Sequence, residues 1–164
     1  MRGMNKVLLI VDMQKGFINK KIYSDLVVKI DDLIKKNTYD CYIFTKFINK
    51  NNSFFVTKLN WKNLMNEESQ KICVTMPKNS LVFEKFGFAL DKKYVKKIKE
   101  IVSTENQIDI CGLQTDACVY AISLQLFDNQ IYPNILINYT ATTNDYESVK
   151  FMLTHQFGKI DEMK

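Results

Sequence analysis

The chain is poor in the residues that punctuate, staple and ligate. Two prolines and five glycines among 164 residues leave no flexible linker, and no repeat or low-complexity tract interrupts the pattern. A single domain over residues 1–164 is therefore expected. The one histidine, His155, makes a Cys–His nucleophile pair hard to build. It lies in the last helical pattern and reads as a helix-surface or C-terminal-turn residue. The four cysteines, Cys41, Cys73, Cys111 and Cys118, form no C-x-x-C pair, which excludes zinc-ribbon and thioredoxin-like arrangements. The first apolar run, "VLLIV" at 7–11, is too short for a signal-peptide core or a membrane span. With reduced thiols, this points to the cytoplasm and to no membrane partner. Net charge is +5, but the lysine pairs at 20–21, 35–36, 92–93 and 96–97 are scattered. They read as solvated helix faces, so no nucleic-acid partner is expected.

What is present suits a globular α/β protein. Hydrophobic residues make up 46% and charged residues 25%, enough for a core without covalent staples. Short apolar runs mark strands: "VLLIV" (7–11), "YIFT" (42–45), "LVF" (81–83), "IDIC" (108–111) and "ILI" (135–137). Such continuous runs suit strands buried on both faces. Between them lie helical stripes: Leu26, Ile30, Leu33 and Ile34; Tyr94, Val95, Ile98, Ile101 and Val102; Val119, Ile122 and Leu126; Val149, Met152, Leu153 and Phe157. The alternation predicts βαβ units in a three-layer α/β/α arrangement around a mostly parallel sheet. Residues 46–66 stand apart as a polar and aromatic stretch of weak periodicity, which reads as a functional loop.

In an open parallel sheet, ligands bind beyond the C-terminal strand ends. Asp12 follows the first strand, Lys85 follows "LVFE", and Gly112 follows "IDIC", with Cys118 a few residues on. An acid, a cation and a thiol can thus share one rim. Thr115 is a good N-cap, which would place Cys118 at about the third position of a helix, where the dipole favours a thiolate. Taken singly, each residue also has a plain reading: Cys118 packed under a helix start, Asp12 a turn, Lys85 exposed. Taken together they suit a thiol nucleophile with a carboxylate to take its proton and an ammonium to steady both. A rim residue two strands away is roughly 10 Å off, and a lysine side chain can cover most of that gap. Cys111, closing a strand, reads as a small hydrophobe in the core.

These segments resemble the isochorismatase-like cysteine hydrolases, a family that includes nicotinamidases and N-carbamoylsarcosine amidase. "LLIVDMQKGF" (8–17) resembles the first strand of that family, "VFEKFGFA" (82–89) its lysine segment, and "ICGLQTDACV" (110–119) its nucleophile turn. The resemblance spans essentially the whole chain. It implies a triad of Asp12 as general acid/base, Lys85 as electrostatic partner and Cys118 as nucleophile. It further implies a cis peptide bond at Leu113–Gln114, with the Gln114 and Cys118 N–H groups as an oxyanion hole. The sheet order expected is 3-2-1-4-5, with room for a sixth edge strand. The implied chemistry is hydrolysis of a small-molecule amide-type C–N bond through a Cys118 thioester. A homo-oligomer is expected from the habit of the family.

The departures bear on the substrate. Nicotinamidases hold a divalent metal through an Asp and histidines after the second strand, and residues 46–66 contain neither. No metal and no other cofactor is therefore expected, and the segment resembles a metal-free variant. Asn138 stands after the fifth strand run, Tyr146 at the start of the last helix, and Phe86, Gly87, Phe88 and Ala89 after Lys85, each where the family often has another residue. Phe17, Phe47, Trp61 and Phe88 are candidates for the substrate pocket, with core packing as the competing reading. Three alternatives stay open: a non-catalytic binding or scaffold protein on the same fold, isochorismatase-type vinyl ether hydrolysis, and a redox thiol with Cys111 as resolving partner.

Overall fold

The computed structural model describes residues 6–102 and 106–163. Five strands form one sheet: β1 (Val7–Val11), β2 (Cys41–Phe47), β3 (Leu81–Lys85), β4 (Gln107–Leu113) and β5 (Tyr132–Ala141). Their order is β3-β2-β1-β4-β5, and every pairing is parallel. The helices are α1 (Lys21–Lys35), α2 (Phe54–Thr57), α3 (Glu67–Gln70), α4 (Lys92–Ile101), α5 (Tyr120–Asp128) and α6 (Tyr146–Phe157). No helix among the described residues is long and apolar enough to cross a membrane.

The strand period of two divides the apolar residues between two cores. Val7, Leu9 and Val11 of β1 face a cluster that includes Ile98 of α4, Ile122 and Leu126 of α5 and Leu153 of α6. Leu8 and Ile10 face the other side, where α1 supplies Tyr23, Leu26, Ile30, Leu33 and Ile34. One long helix therefore covers one face and three cover the other. Asp91 caps α4 by accepting the Lys93 N–H at 2.9 Å, and Asp145 caps α6 by accepting the Ser148 N–H at 2.9 Å. Both fit the preference of Asp for that position.

Each strand run read from the sequence lies inside an observed strand, but β2, β3, β4 and β5 are longer. β5 runs on to Ala141 after a register shift against β4 between Ile110 and Gly112. Asn138 therefore lies within β5, where its Nδ2 donates to the Met163 carbonyl at 3.3 Å. At the position expected for a sixth strand there is one parallel bridge, Leu136 to Asp161. The segment read as a loop carries the end of β2 and the short helix α2.

Gly112 is where β4 meets β1. Its φ is +113°, and a Cβ added there would lie 2.2 Å from the Val11 carbonyl oxygen and 2.6 Å from the Val11 nitrogen. Neither obstacle can move without breaking the β1–β4 ladder, in which Val11 and Gly112 are partners. Gly112→Ala is expected to lose at least about 3 kcal/mol, from a strained backbone and a backbone overlap together. Urea unfolding measures the loss; a stability within 1 kcal/mol of the parent would show that the close approach is not required.

Candidate active site

Three strand ends converge at one rim. β1 and β4 are neighbours, and β3 lies two places from β1 on its other side. Asp12 leaves β1 with φ of +50°, a left-handed conformation that Asp tolerates better than most residues. This turns its carboxylate down onto the end of the sheet, where it is fully buried. Asp12 Oδ1 accepts from the Thr45 hydroxyl at 2.5 Å, and the Asp12 N–H donates to the same hydroxyl at 3.0 Å. Oδ2 lies 2.8 Å from Lys85 Nζ as an ion pair and has no partner of hydrogen-bond geometry among the described residues.

Lys85 ends β3, beside Phe47 of β2 in the register. Its side chain has no exposed surface, so the reading of an exposed lysine does not hold. Nζ donates to the Gly87 carbonyl at 2.8 Å, the Phe88 carbonyl at 3.3 Å and Cys118 Sγ at 3.3 Å. It also sits 5.0 Å from the centre of the Phe47 ring. Burial works against its charge, but the Asp12 carboxylate and the Cys118 sulfur outweigh burial and hold its pKa above the ordinary lysine value. The ammonium thus bridges acid and thiol.

Cys118 reaches the site from a turn, not from a capped α-helix. The Leu113–Gln114 peptide bond is cis, and residues Thr115–Val119 form one π-helical turn leading into α5. The Gln114 carbonyl accepts the Ala117 and Val119 N–H groups, both at 3.1 Å, and skips that of Cys118 between them. Thr115 does not cap this turn. Its hydroxyl donates to Thr140 Oγ1 at 2.8 Å, the cap position belongs to Gln114, and Cys118 is the fourth residue of the turn. A threonine beside a strand that runs to Ala141 finds a side-chain partner there that sequence reasoning placed beyond the strand.

Burial and the nearby Asp12 carboxylate push the Cys118 thiol up to about 12, against the pull of Lys85. Burial and the carboxylate thus both favour the neutral thiol at this position. The sequence expectation of a dipole-stabilised thiolate overlooked the larger effect of burial. Cys111 is buried in the α1-side core, and all four cysteines are free. His155 lies on α6, stacked on Phe151.

Cys118 opens into a pocket of about 340 Å³. Phe17, Phe47, Trp61 and Phe88 all line it, and so do Phe55, Tyr23 and Gln114. The rings touch in sequence: Phe17 stacks on Trp61 at 5.8 Å, Trp61 meets Phe47 and Phe55 at 5.9 Å, and Phe55 meets Phe88 at 5.0 Å. Tyr146 is not among the lining residues. Three buried amides, to none of which the sequence assigned a site role, hold this wall. Gln14 donates to the Phe47 and Gln70 carbonyls and accepts the Phe47 N–H, each at 2.9 Å. Asn49 Nδ2 donates to the Trp61 and Asn63 carbonyls at 3.1 and 2.9 Å, while its Oδ1 accepts from Ser53 at 2.6 Å. Gln70 donates to the Leu64 carbonyl at 2.9 Å. In sequence, a buried amide in a loop looks the same as an exposed one.

The same contacts test for a metal site in this segment. Asn49 and Ser53 are committed to each other and to backbone carbonyls. Among the described residues no three His, Cys, Asp or Glu side chains gather as a metal-holding group. The side chains present do not fit the divalent metal that the resemblance attaches to nicotinamidases.

No family profile matches the chain, and no curated protein does. Solved structures match it closely in shape. N-carbamoylsarcosine amidase from Thermoplasma acidophilum superposes with a TM-score of 0.81 at 14% identity, covering 96% of this chain and 95% of that one. The isochorismatase-like hydrolase from Alkaliphilus metalliredigens gives 0.80 at 12% identity, over 96% and 94%. Nicotinamidase from Bacillus subtilis gives 0.76 at 17% identity, over 98% and 100%.

The buried pair generates a stability prediction. Lys85→Met would leave Asp12 as an unpaired buried carboxylate and is expected to cost about 3–5 kcal/mol in urea unfolding. Adding Asp12→Asn removes that charge and should recover part of the loss. A double variant whose loss equals the sum of the two single losses would show that the pair is not coupled. With strand order, parallel pairing and near-complete coverage all in agreement, the chain has the fold of the isochorismatase-like hydrolases.

Proposed function

We propose that the protein is a cysteine hydrolase of small-molecule amides, working through a thioester on Cys118. The observation that carries the reading is Lys85 Nζ, fully buried, 2.8 Å from Asp12 Oδ2 and 3.3 Å from Cys118 Sγ at the edge of the aromatic pocket. That two of the matched folds belong to proteins named as amidases supports it.

The chemistry follows from the three groups. Asp12 accepts the thiol proton as Cys118 Sγ attacks the amide carbonyl, so no free thiolate has to persist in a buried site. The carbonyl oxygen becomes an oxyanion, for which the Gln114 and Cys118 N–H groups are the donors. Asp12 then passes its proton to the departing nitrogen, releasing ammonia or an amine and leaving an acyl thioester. Water, deprotonated by Asp12, attacks the thioester and the thiol is restored. Lys85 stays an ammonium throughout and offsets whichever of the carboxylate and the sulfur is negative. The Thr45 hydroxyl holds Oδ1 so that Oδ2 faces the reacting atoms. The reduced thiol this cycle needs suits the cytoplasm.

An ammonia-release screen over primary amides, ureas and carbamoyl compounds tests the reading. Activity is expected with at least one amide, and Cys118→Ala should abolish it. Activity that survives in Cys118→Ala, or none with any substrate, would contradict the proposal; pure binding without turnover would favour a scaffold protein.

The pH dependence follows from the causes of the thiol shift. Asp12 helps to hold the proton on Cys118 by its negative charge, while Lys85 pulls the other way. Asp12→Asn should therefore lower the apparent pKa of Cys118, moving its iodoacetamide labelling profile to lower pH while amide turnover is lost. An unchanged labelling profile would show that Asp12 does not act on the sulfur.

A further inference from the structure

The geometry points to an uncharged, apolar acyl group on the substrate, an arylalkyl amide in place of a small polar amide or urea. This inference rests on the hydrolase reading above and concerns what fills the pocket beyond the reacting carbonyl.

Beside Cys118 the pocket has an aromatic wall, faced by one polar pair already joined to itself, Gln114 Nε2 donating to the Tyr23 hydroxyl at 2.8 Å. Phe17, Phe47, Phe55 and Trp61 are linked ring to ring at 5.1 to 5.9 Å, distances typical of packed aromatic pairs. Phe88 closes the same wall at 5.0 Å from Phe55, and its carbonyl is tied to Lys85. A polar ligand placed there would give up water without gaining hydrogen bonds from these faces. Hydrogen-bonding side chains lie mostly at the mouth, where Asn19, Lys20, Asn63 and Thr143 are exposed.

The mouth is not wholly polar. Leu59 is 66% exposed and Phe88 48% exposed, yet both line the pocket. An apolar chain leaving the floor would continue along these two side chains into solvent. The shape therefore fits an acyl group that runs outward from the carbonyl.

Charge narrows the class further. No Asp or Glu is among the described lining residues, and Lys20 stands at the rim. A cationic tail would meet an ammonium at the mouth and no lining carboxylate. An anionic tail could reach Lys20 only by crossing the aromatic floor or by staying in water, where exposed pairs contribute little. The neutral apolar tail is the one that the aromatic wall accepts.

Trp61 is the only tryptophan and stands in the pocket, so its fluorescence reads occupancy directly. The test titrates four primary amides into the full chain carrying Cys118→Ala: 3-phenylpropionamide, propionamide, succinamate and 3-aminopropionamide. 3-Phenylpropionamide should change the Trp61 signal saturably and bind roughly 10- to 100-fold more tightly than propionamide, the gain expected from burying a phenyl group. Phe55→Ala in the same background should reduce that preference several-fold. Equal or tighter binding of propionamide or of either charged amide, a Trp61 signal flat with all four, or a preference untouched by Phe55→Ala would overturn the inference. If the phenyl preference holds while the wild-type protein releases no ammonia from any of the four, the apolar pocket stands and the hydrolase reading falls.

Discussion

Lys85 and Asp12 hold opposite charges 2.8 Å apart with no side-chain surface exposed to water. Taking both charges out of water costs several kcal/mol per ion, and their attraction offsets this only where the remaining protons and lone pairs are also satisfied. The rest of the site supplies those partners. Thr45 takes one carboxylate oxygen, and the Gly87 and Phe88 carbonyls take lysine protons. Cys118 receives what is left of the ammonium, 3.3 Å away. A single buried charge pair thus fixes the acid, sets the electrostatics of the thiol and pins the segment that carries Phe88 to the pocket wall.

That arrangement explains why the sheet order matters. Asp12 and Cys118 follow neighbouring strands, which brings the two chain exits side by side at the switch point. The cation comes from the edge strand and crosses the end of β2 to reach them. It passes over the Phe47 ring, so the aromatic floor of the pocket also lines the path of the lysine. Gly112 permits β4 to lie against Val11 closely enough for this geometry. Stability and the proposed chemistry therefore rest on the same residues, and a substitution at the rim is expected to disturb both.

Most of the framework was legible in the sequence because buried parallel strands and amphipathic helices write themselves in apolar spacing. The runs around Leu9, Ile43, Phe83, Ile110 and Ile135 marked the five strands, and the stripe from Leu26 to Ile34 marked α1. The candidate residues Asp12, Lys85 and Cys118 were legible from their places after strands and from a motif. What escaped was set by tertiary contacts. Thr115 has the composition of an N-cap, but Thr140 lies within reach and the hydroxyl bonds there instead. Asn138 reads as a strand end, but β5 carries on beyond it. Lys85 is a residue type that is almost never fully buried unless paired, and its burial follows from Asp12, 73 positions earlier in the chain. Gln14 and Asn49 stood within recognised segments, but their burial, like that of Gln70 in α3, left no signal, because a single polar residue does not state whether it faces water or a carbonyl.

The central claim is that Cys118 becomes acylated during turnover. Rapid acid quench of the wild-type protein with a turned-over amide, followed by peptide mass spectrometry, tests it most directly. The account predicts a mass increase equal to the acyl group on the peptide containing Cys118, removed by hydroxylamine. Ammonia release at full rate with that peptide unmodified at every quench time, persisting when Cys118 is replaced, would contradict it.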